Sequence, residues 1–200
     1  MALISVSNNA LQNITTVPAS IPSGALVLLS TQTASSSASL SFTSGIDSTY
    51  DFYVFKFIDI HPTSDNLTFQ FNFSTDGGSN YNVVKTTTAF EARHNEDDAV
   101  SALDYDTGQD LAQSTSYQNL YISLGGDSDQ TCAGTLQLFN PSSTSYVKHF
   151  ISRNSGVQLN DRHTDRHYSG YANTTSPINA IDFKMQTGTF DGIIKMYGVK

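Results

Sequence analysis

The stretch LTFQFNFS, residues 67–74, alternates without a break: Leu67, Phe69, Phe71 and Phe73 fall on one parity, Thr68, Gln70, Asn72 and Ser74 on the other. A helix would return its apolar residues every three or four positions, so a strict period of two fixes a strand with one dry and one wet face. Ten further segments carry strand signals: ALVLLS (25–30), ASLSFT (38–43), YDFYVFKFIDI (50–60), YNVVKTTTAF (81–90), YQNLYISL (117–124), AGTLQLF (133–139), SYVKHFIS (145–152), HYSGYAN (167–173), NAIDFKM (179–185) and GIIKMYGV (192–199). The third is apolar on both parities over its middle, as a strand covered on both faces requires. No amphipathic pattern of three helical turns interrupts them. About eleven strands at short, regular spacing, with Gly, Asn, Pro and Ser at the breaks, predict an all-β chain built as an antiparallel β-sandwich, jelly-roll-like.

The connections are read from turn chemistry. TASSS (33–37) predicts a Ser-rich turn. TDGGSN (75–80) offers Gly77 and Gly78 for positive φ and predicts a hairpin between the strands at 67–74 and 81–90. Residues 91–116 carry Glu91, Arg93, Glu96, Asp97, Asp98, Asp104, Asp106 and Asp110, and are expected to form a long acidic surface loop. Residues 1–24 have weak periodicity and hold Pro18 and Pro22, so they read as an extended N-terminal arm suited to anchoring or to swapping between subunits. Residues 25–200 then make one β-sandwich domain.

Composition removes several classes of function. Charged residues are 14% of the chain, while 27 serines and 22 threonines supply a neutral, hydroxyl-rich surface. The net charge is −8 and the ten Lys and Arg are scattered, so a nucleic-acid partner is not expected. The longest apolar run, ALVLL (25–29), is too short for membrane insertion. The N-terminus lacks the basic and apolar regions of a signal peptide. The sequons at Asn13, Asn66, Asn72 and Asn173 therefore carry no weight. A single cysteine, Cys132, excludes an intrachain disulfide and reads as a small core residue.

Sites of chemistry are few. In DRHTDRHYSGY (161–171), His163 and His167 share a face with Asp161 and Asp165, which suits zinc or manganese. A helix is argued against by the flanking Gly and Asn. Arg162 and Arg166 bring positive charge close. The segment therefore reads as a polar, solvent-facing edge before it reads as a metal site. Asp104 and Asp106 with Gly108 form a fragment of a calcium-loop pattern without its downstream Glu. Asp76 and Asn80 likewise fall short of a full ligand set. Asp51, Asp59 and Asp182 lie on strands and could pair as glycosidase carboxylates, but their polar flanks place them on the outer face. No nucleophile elbow or phosphate loop is present, so neither catalysis nor a cofactor is expected. Tyr105, Tyr168 and Tyr171 are the aromatics expected to face a ligand.

Three stretches carry a resemblance: residues 41–81, with Ile60, Pro62, Asp65 and Leu67 leading into STDGGS; LQLFNPSSTSYVKHF (136–150); and the ending IDFKMQTGTFDGIIKMYGVK (181–200). Together they resemble virion structural proteins of tailed bacteriophages, those of marine and cyanobacterial phages most closely. The resemblance covers about residues 26–200 and departs at Phe190, Asp191 and Met196. It implies a jelly-roll-like domain of the kind found in capsid decoration and tail-fibre or appendage proteins. It also implies a virion location, other virion proteins as partners through the N-terminal arm, and a homo-oligomer, with a trimer favoured. It brings no catalytic residue. A host-surface or glycan-binding module of a tail fibre is the alternative expectation, and a polysaccharide-degrading enzyme a more distant one.

Overall fold

The structure, a computed structural model, describes residues 26–200; the expected arm at 1–24 lies outside them. Twelve strands follow: β1 Val27–Ser37, β2 Ser39–Phe42, β3 Phe52–Pro62, β4 Leu67–Ser74, β5 Lys85–Asn95, β6 Ser101–Tyr105, β7 Gln118–Leu124, β8 Cys132–Phe139, β9 Lys148–Gln158, β10 Arg162–Ala172, β11 Ala180–Met185 and β12 Phe190–Val199. Every pairing is antiparallel. No helix occurs among the described residues.

Nine strands run in the order β1-β12-β3-β8-β9-β7-β4-β11-β2. The two ends of this sheet meet, with Gln32 Nε2 donating to the Ser41 carbonyl at 2.8 Å, so the sheet is nearly closed and barrel-like. Closure is thin at β9–β7, which share only the pair Leu124–Gln158. At that seam β9 continues into a second arrangement: β10 pairs with β9 along its whole length, β5 pairs with β10, and β6 with β5. These three strands form a wing that overhangs the barrel.

The barrel core is aromatic because the dry parity of β4 meets like residues from other strands. Phe183 of β11 sits at its centre. Its ring lies 5.2 Å from Phe57, 5.4 Å from Phe55, and 6.1 to 6.4 Å from Phe42, Phe69 and Phe71. Phe71 and Phe73 meet Phe150 of β9 in edge-to-face contacts, the favoured geometry for ring quadrupoles. The middle of β3 is covered on both faces, as Tyr53, Val54 and Phe55 are all buried. Cys132 is buried, and burial pushes its thiol pKa up.

Four connections differ from the sequence reading. TASSS continues β1 through an irregularity at Ala34–Ser37 instead of turning; the Ser36 amide is held by Asp191 Oδ1 at 2.6 Å, and only Ala38 separates β1 from β2. TDGGSN does turn, with φ of 72° at Gly77 and 90° at Gly78. It does not close a hairpin, because β4 pairs with β7 and β11 whereas β5 pairs with β10 and β6. Ten residues of the expected acidic loop, 91–95 and 101–105, are sheet: β5 runs on to Asn95 and β6 returns beside it, with Glu91 opposite Asp104 and Arg93 opposite Ala102. Finally, DRHTDRHYSGY is neither loop nor edge, since β10 is hydrogen-bonded on both sides. In both misread segments the charges pair with one another, which lets polar sequence lie inside a sheet.

Candidate functional site

The wing turns its even-numbered β10 residues and its odd-numbered β5 residues inward. The side chains there are mostly polar: Lys85, Thr87, Glu91, Thr164, Arg166 and Tyr168 are all buried. Arg166 and Glu91 are register partners in the β10–β5 ladder. The Arg166 guanidinium contacts Glu91 Oε2 and reaches Asp106 Oδ2 at 3.1 Å. Glu91 Oε1 accepts from Arg93 Nη1 at 2.6 Å, and Arg93 Nη2 meets Asp104 Oδ2 at 2.7 Å. The five side chains thus form a continuous relay of ion pairs, Asp104–Arg93–Glu91–Arg166–Asp106. Its centre is dry, with the Arg166 side chain 3% exposed and that of Glu91 7%. Burial works against the Arg166 charge, but Tyr168, Glu91 and Asp106 outweigh it and hold its pKa above the ordinary value. Burial pushes the Tyr168 phenol up to about 12.

The relay forms one wall of an open cleft of about 600 Å³ between the wing and the barrel. Ile122 and Ser123 at the end of β7 and Gln158, Leu159 and Asn160 at the β9–β10 turn also line it. Arg162 and Tyr105 complete the lining. Tyr105 is 53% exposed, and its hydroxyl donates to Asp110 Oδ2 at 2.7 Å. Arg162 Nε donates to Asn95 Oδ1 at 2.9 Å.

Asp104 and Asp106, read in sequence as a calcium-loop fragment, each face a guanidinium here. Asp76 serves its own turn: its carboxylate accepts from Ser74 Oγ and from the backbone and side chain of Asn80. The Ser74 hydroxyl first, and Asn80 second, hold its pKa down at about 2.

His163 and His167 lie on the outward face of β10, with Asp165 between them. The structure does not join them into one site. His163 Nε2 bonds Ser155 Oγ at 2.9 Å, while His167 stacks on Phe90 at 4.6 Å and reaches Asp165 at 3.4 Å. Asp165 is gripped by Arg153 through three contacts, one of 2.7 Å and two of 3.1 Å, and Arg153 before all else lowers its pKa. Among the described residues no three His, Cys, Asp or Glu side chains are placed to hold a metal ion. Arg166, expected beside the histidines, points to the opposite face.

Of the three tyrosines, Tyr105 is open and Tyr171 half-buried, its hydroxyl accepting from Gln113 Nε2 at 3.3 Å. Tyr168 is 2% exposed and faces inward, because it shares parity with Arg166 and not with His167; it cannot face a ligand. Exposed apolar side chains that the sequence reading missed flank them: Phe90, Leu103 and Ile151, at 42, 73 and 50% exposure, share the outward face of the wing and β9 with Tyr105. Their signal was parity, since Ile151 is out of phase with buried Phe150 and Leu103 stands opposite exposed Ala92.

The three aspartates read as strand carboxylates differ in setting. Asp51 and Asp59 are exposed. Asp182, expected outside, is buried. It accepts from Ser41 Oγ at 2.6 Å and Tyr117 Oη at 3.0 Å, and burial raises its pKa.

The chain matches no family model, no curated protein and no solved structure.

Proposed function

We propose that this chain is a non-enzymatic virion structural protein of a tailed phage, a capsid decoration or a head or tail appendage, that acts through assembly. The observation that carries the reading is the outward face of β9, β10, β5 and β6. Phe90, Leu103, Tyr105 and Ile151 lie exposed on one continuous sheet surface, interleaved with His149, His163 and His167. Apolar groups clustered on a flat, rigid surface are what a protein–protein contact uses, whereas singly scattered ones need no explanation. The carboxylates of the cleft support a role without catalysis, because Glu91, Asp104 and Asp106 are each neutralised by a guanidinium. The likeness of the three sequence stretches to phage virion proteins supplies the setting, and with it a jelly-roll-like sandwich, a trimer, and an N-terminal arm that docks on other virion proteins. The test is electron-microscopic reconstruction of the intact particle. Density for this chain at symmetric positions on head or tail, with the wing face against a neighbour, is the expected result. A purified particle that lacks the chain would overturn the reading.

A further inference from the structure

We propose that Lys85 and Asn72 join their side chains in an isopeptide bond that ties the wing to the barrel. The two residues belong to different parts of the sheet. Asn72 stands on β4, which pairs with β7 and β11, whereas Lys85 opens β5, which pairs with β10 and β6. No ladder joins β4 to β5, yet the two side chains meet, and both residues are 0% exposed. Lys85 Nζ lies 2.5 Å from Asn72 Oδ1, closer than an ordinary N–H···O hydrogen bond of about 2.7–3.2 Å. The carboxamide carbon is one bond behind that oxygen. Lys148 shows what a buried lysine does otherwise. It shares the inward row of Lys85 through Ala172, but its Nζ meets the main-chain carbonyls of Thr174 and Ser176.

The carboxamide is held as an acyl group under attack has to be. Asn72 Nδ2 donates to the carbonyls of Tyr81 at 2.6 Å and Thr115 at 3.0 Å, which settles which end of the amide is nitrogen. The Phe73 amide donates to Oδ1 at 2.9 Å, where negative charge develops as a nucleophile adds. A bond from Nζ to the Val83 carbonyl at 2.8 Å anchors the amine at a second point. The attacking nitrogen must be a neutral amine. Lys85 forms no ion pair among the described residues, and burial brings its pKa down to about 7.

An acid stands beside the pair. Asp182 is the register partner of Asn72 on β11, so the two side chains share a face with their Cβ atoms about 5 Å apart. Asp182 is 4% exposed, and burial favours its protonated form. In the proposed step Nζ attacks Asn72 Cγ. The Nζ–Cγ bond forms, the Cγ–Nδ2 bond breaks, and Nδ2 leaves as ammonia. Asp182 passes a proton to the leaving nitrogen and takes one back from Nζ, so it ends as it began. Neither an oxidant nor a co-reactant is needed. The reaction runs once in each chain and involves no turnover. Its product closes residues 72–85 into a covalent loop, and the linked Lys85 has no amine left to titrate.

The experiment is mass spectrometry of the denatured full chain. Its mass is expected to fall one ammonia short of the sequence, and a protease digest should contain a branched peptide that joins the segments around Asn72 and Lys85. Lys85→Arg, Asn72→Ala and Asp182→Asn should each show the full mass of their sequences. Asp182→Glu, which puts an acid back, should lose ammonia again, and Lys148→Met serves as the control that stays linked. Circular dichroism reads whether each variant folds. A parent at full mass, or one whose missing ammonia maps to another position, would overturn the proposal whatever the variants do. An Asp182→Asn chain that links as the parent does would overturn the part given to Asp182. The bond does not rest on the virion reading: a particle without this chain would sink that reading and leave these masses unchanged.

Discussion

Arg166 and Glu91 stand directly opposite each other on adjacent strands, and their charged ends meet on the dry side of the sheet. A cross-strand ion pair is usually a surface feature. Here the wing has closed over it, so each charge depends on the other for its place in a poorly solvated layer. Asp106 and Arg93 extend the pair toward solvent, which links its ordering to the shape of the cleft.

Removing one partner should therefore cost more than removing both. Arg166→Met leaves Glu91 with only Arg93 and should lose about 3–5 kcal/mol, the range for an uncompensated buried charge. The double change Arg166→Met with Glu91→Gln should recover a substantial part of that loss. Urea or guanidinium melts of the two single variants and the double would read the coupling directly. Additive losses would show that the pair does not act as a unit.

Lys85 poses a related problem without a countercharge. Its Nζ donates to Asn72 Oδ1 at 2.5 Å and to the Val83 carbonyl at 2.8 Å, and it forms no ion pair among the described residues. Burial lowers its pKa from 10.5 to about 7. Between those values the unfolded chain holds a proton that the folded chain has released, so stability rises with pH across the window. Below about 7 both states are charged and the full burial cost remains. Lys85→Met should accordingly be more stable than the unlinked parent near neutral pH, and the advantage should shrink as pH rises toward ~9. Asn72 Oδ1 would still accept from the Phe73 amide at 2.9 Å. Denaturation curves of both proteins at several pH values check this; parallel pH profiles would exclude a perturbed Lys85.

Much of the barrel was legible because its strands obey the dry-wet alternation that sequence displays openly. Phe69, Phe71 and Phe73 are buried as their parity requires. The wing was not legible for a physical reason. Its buried parity holds Arg166, Glu91, Lys85 and Thr164, residues that hydropathy assigns to water, and what keeps them inside is mutual pairing across strands far apart in sequence. Glu91 and Arg166 are 75 positions apart, and nothing local marks them as partners. The same blindness explains Asp182 and Tyr168, which were placed outside and lie inside. The cleft was half visible: Asp104, Asp106 and Tyr105 stood out, whereas Arg93, Arg162 and the β9–β10 turn join them only through the fold.

The aromatic centre gives a prediction about packing alone. Phe183 contacts five other phenylalanine rings drawn from β2, β3 and β4. Phe183→Ala should cost about 3–5 kcal/mol, while Phe183→Leu, which retains most of the volume, should cost less. Thermal and chemical melts resolve the difference. Equal losses would mean that ring-edge geometry, not volume, holds this centre.

The outward histidines raise a metal question that can be probed in solution. His163 is committed to Ser155, and His167 to the Phe90 ring and to Asp165, which Arg153 in turn holds. A zinc ion would have to break the Arg153–Asp165 contact and turn both imidazoles before it gained three ligands. Zinc in excess should therefore leave the melting temperature of the protein unchanged. Arg153→Ala should cost less than about 1 kcal/mol in stability, as expected of an exposed guanidinium. It should also free Asp165, so that this variant, unlike the parent, gains a measurable zinc-dependent rise in melting temperature. A rise in the parent itself, lost in both His163→Ala and His167→Ala, would show that the two imidazoles reach one ion after all. A rise in neither protein would mean that the spacing of the imidazoles, and not the grip of Arg153 on Asp165, is what keeps zinc out.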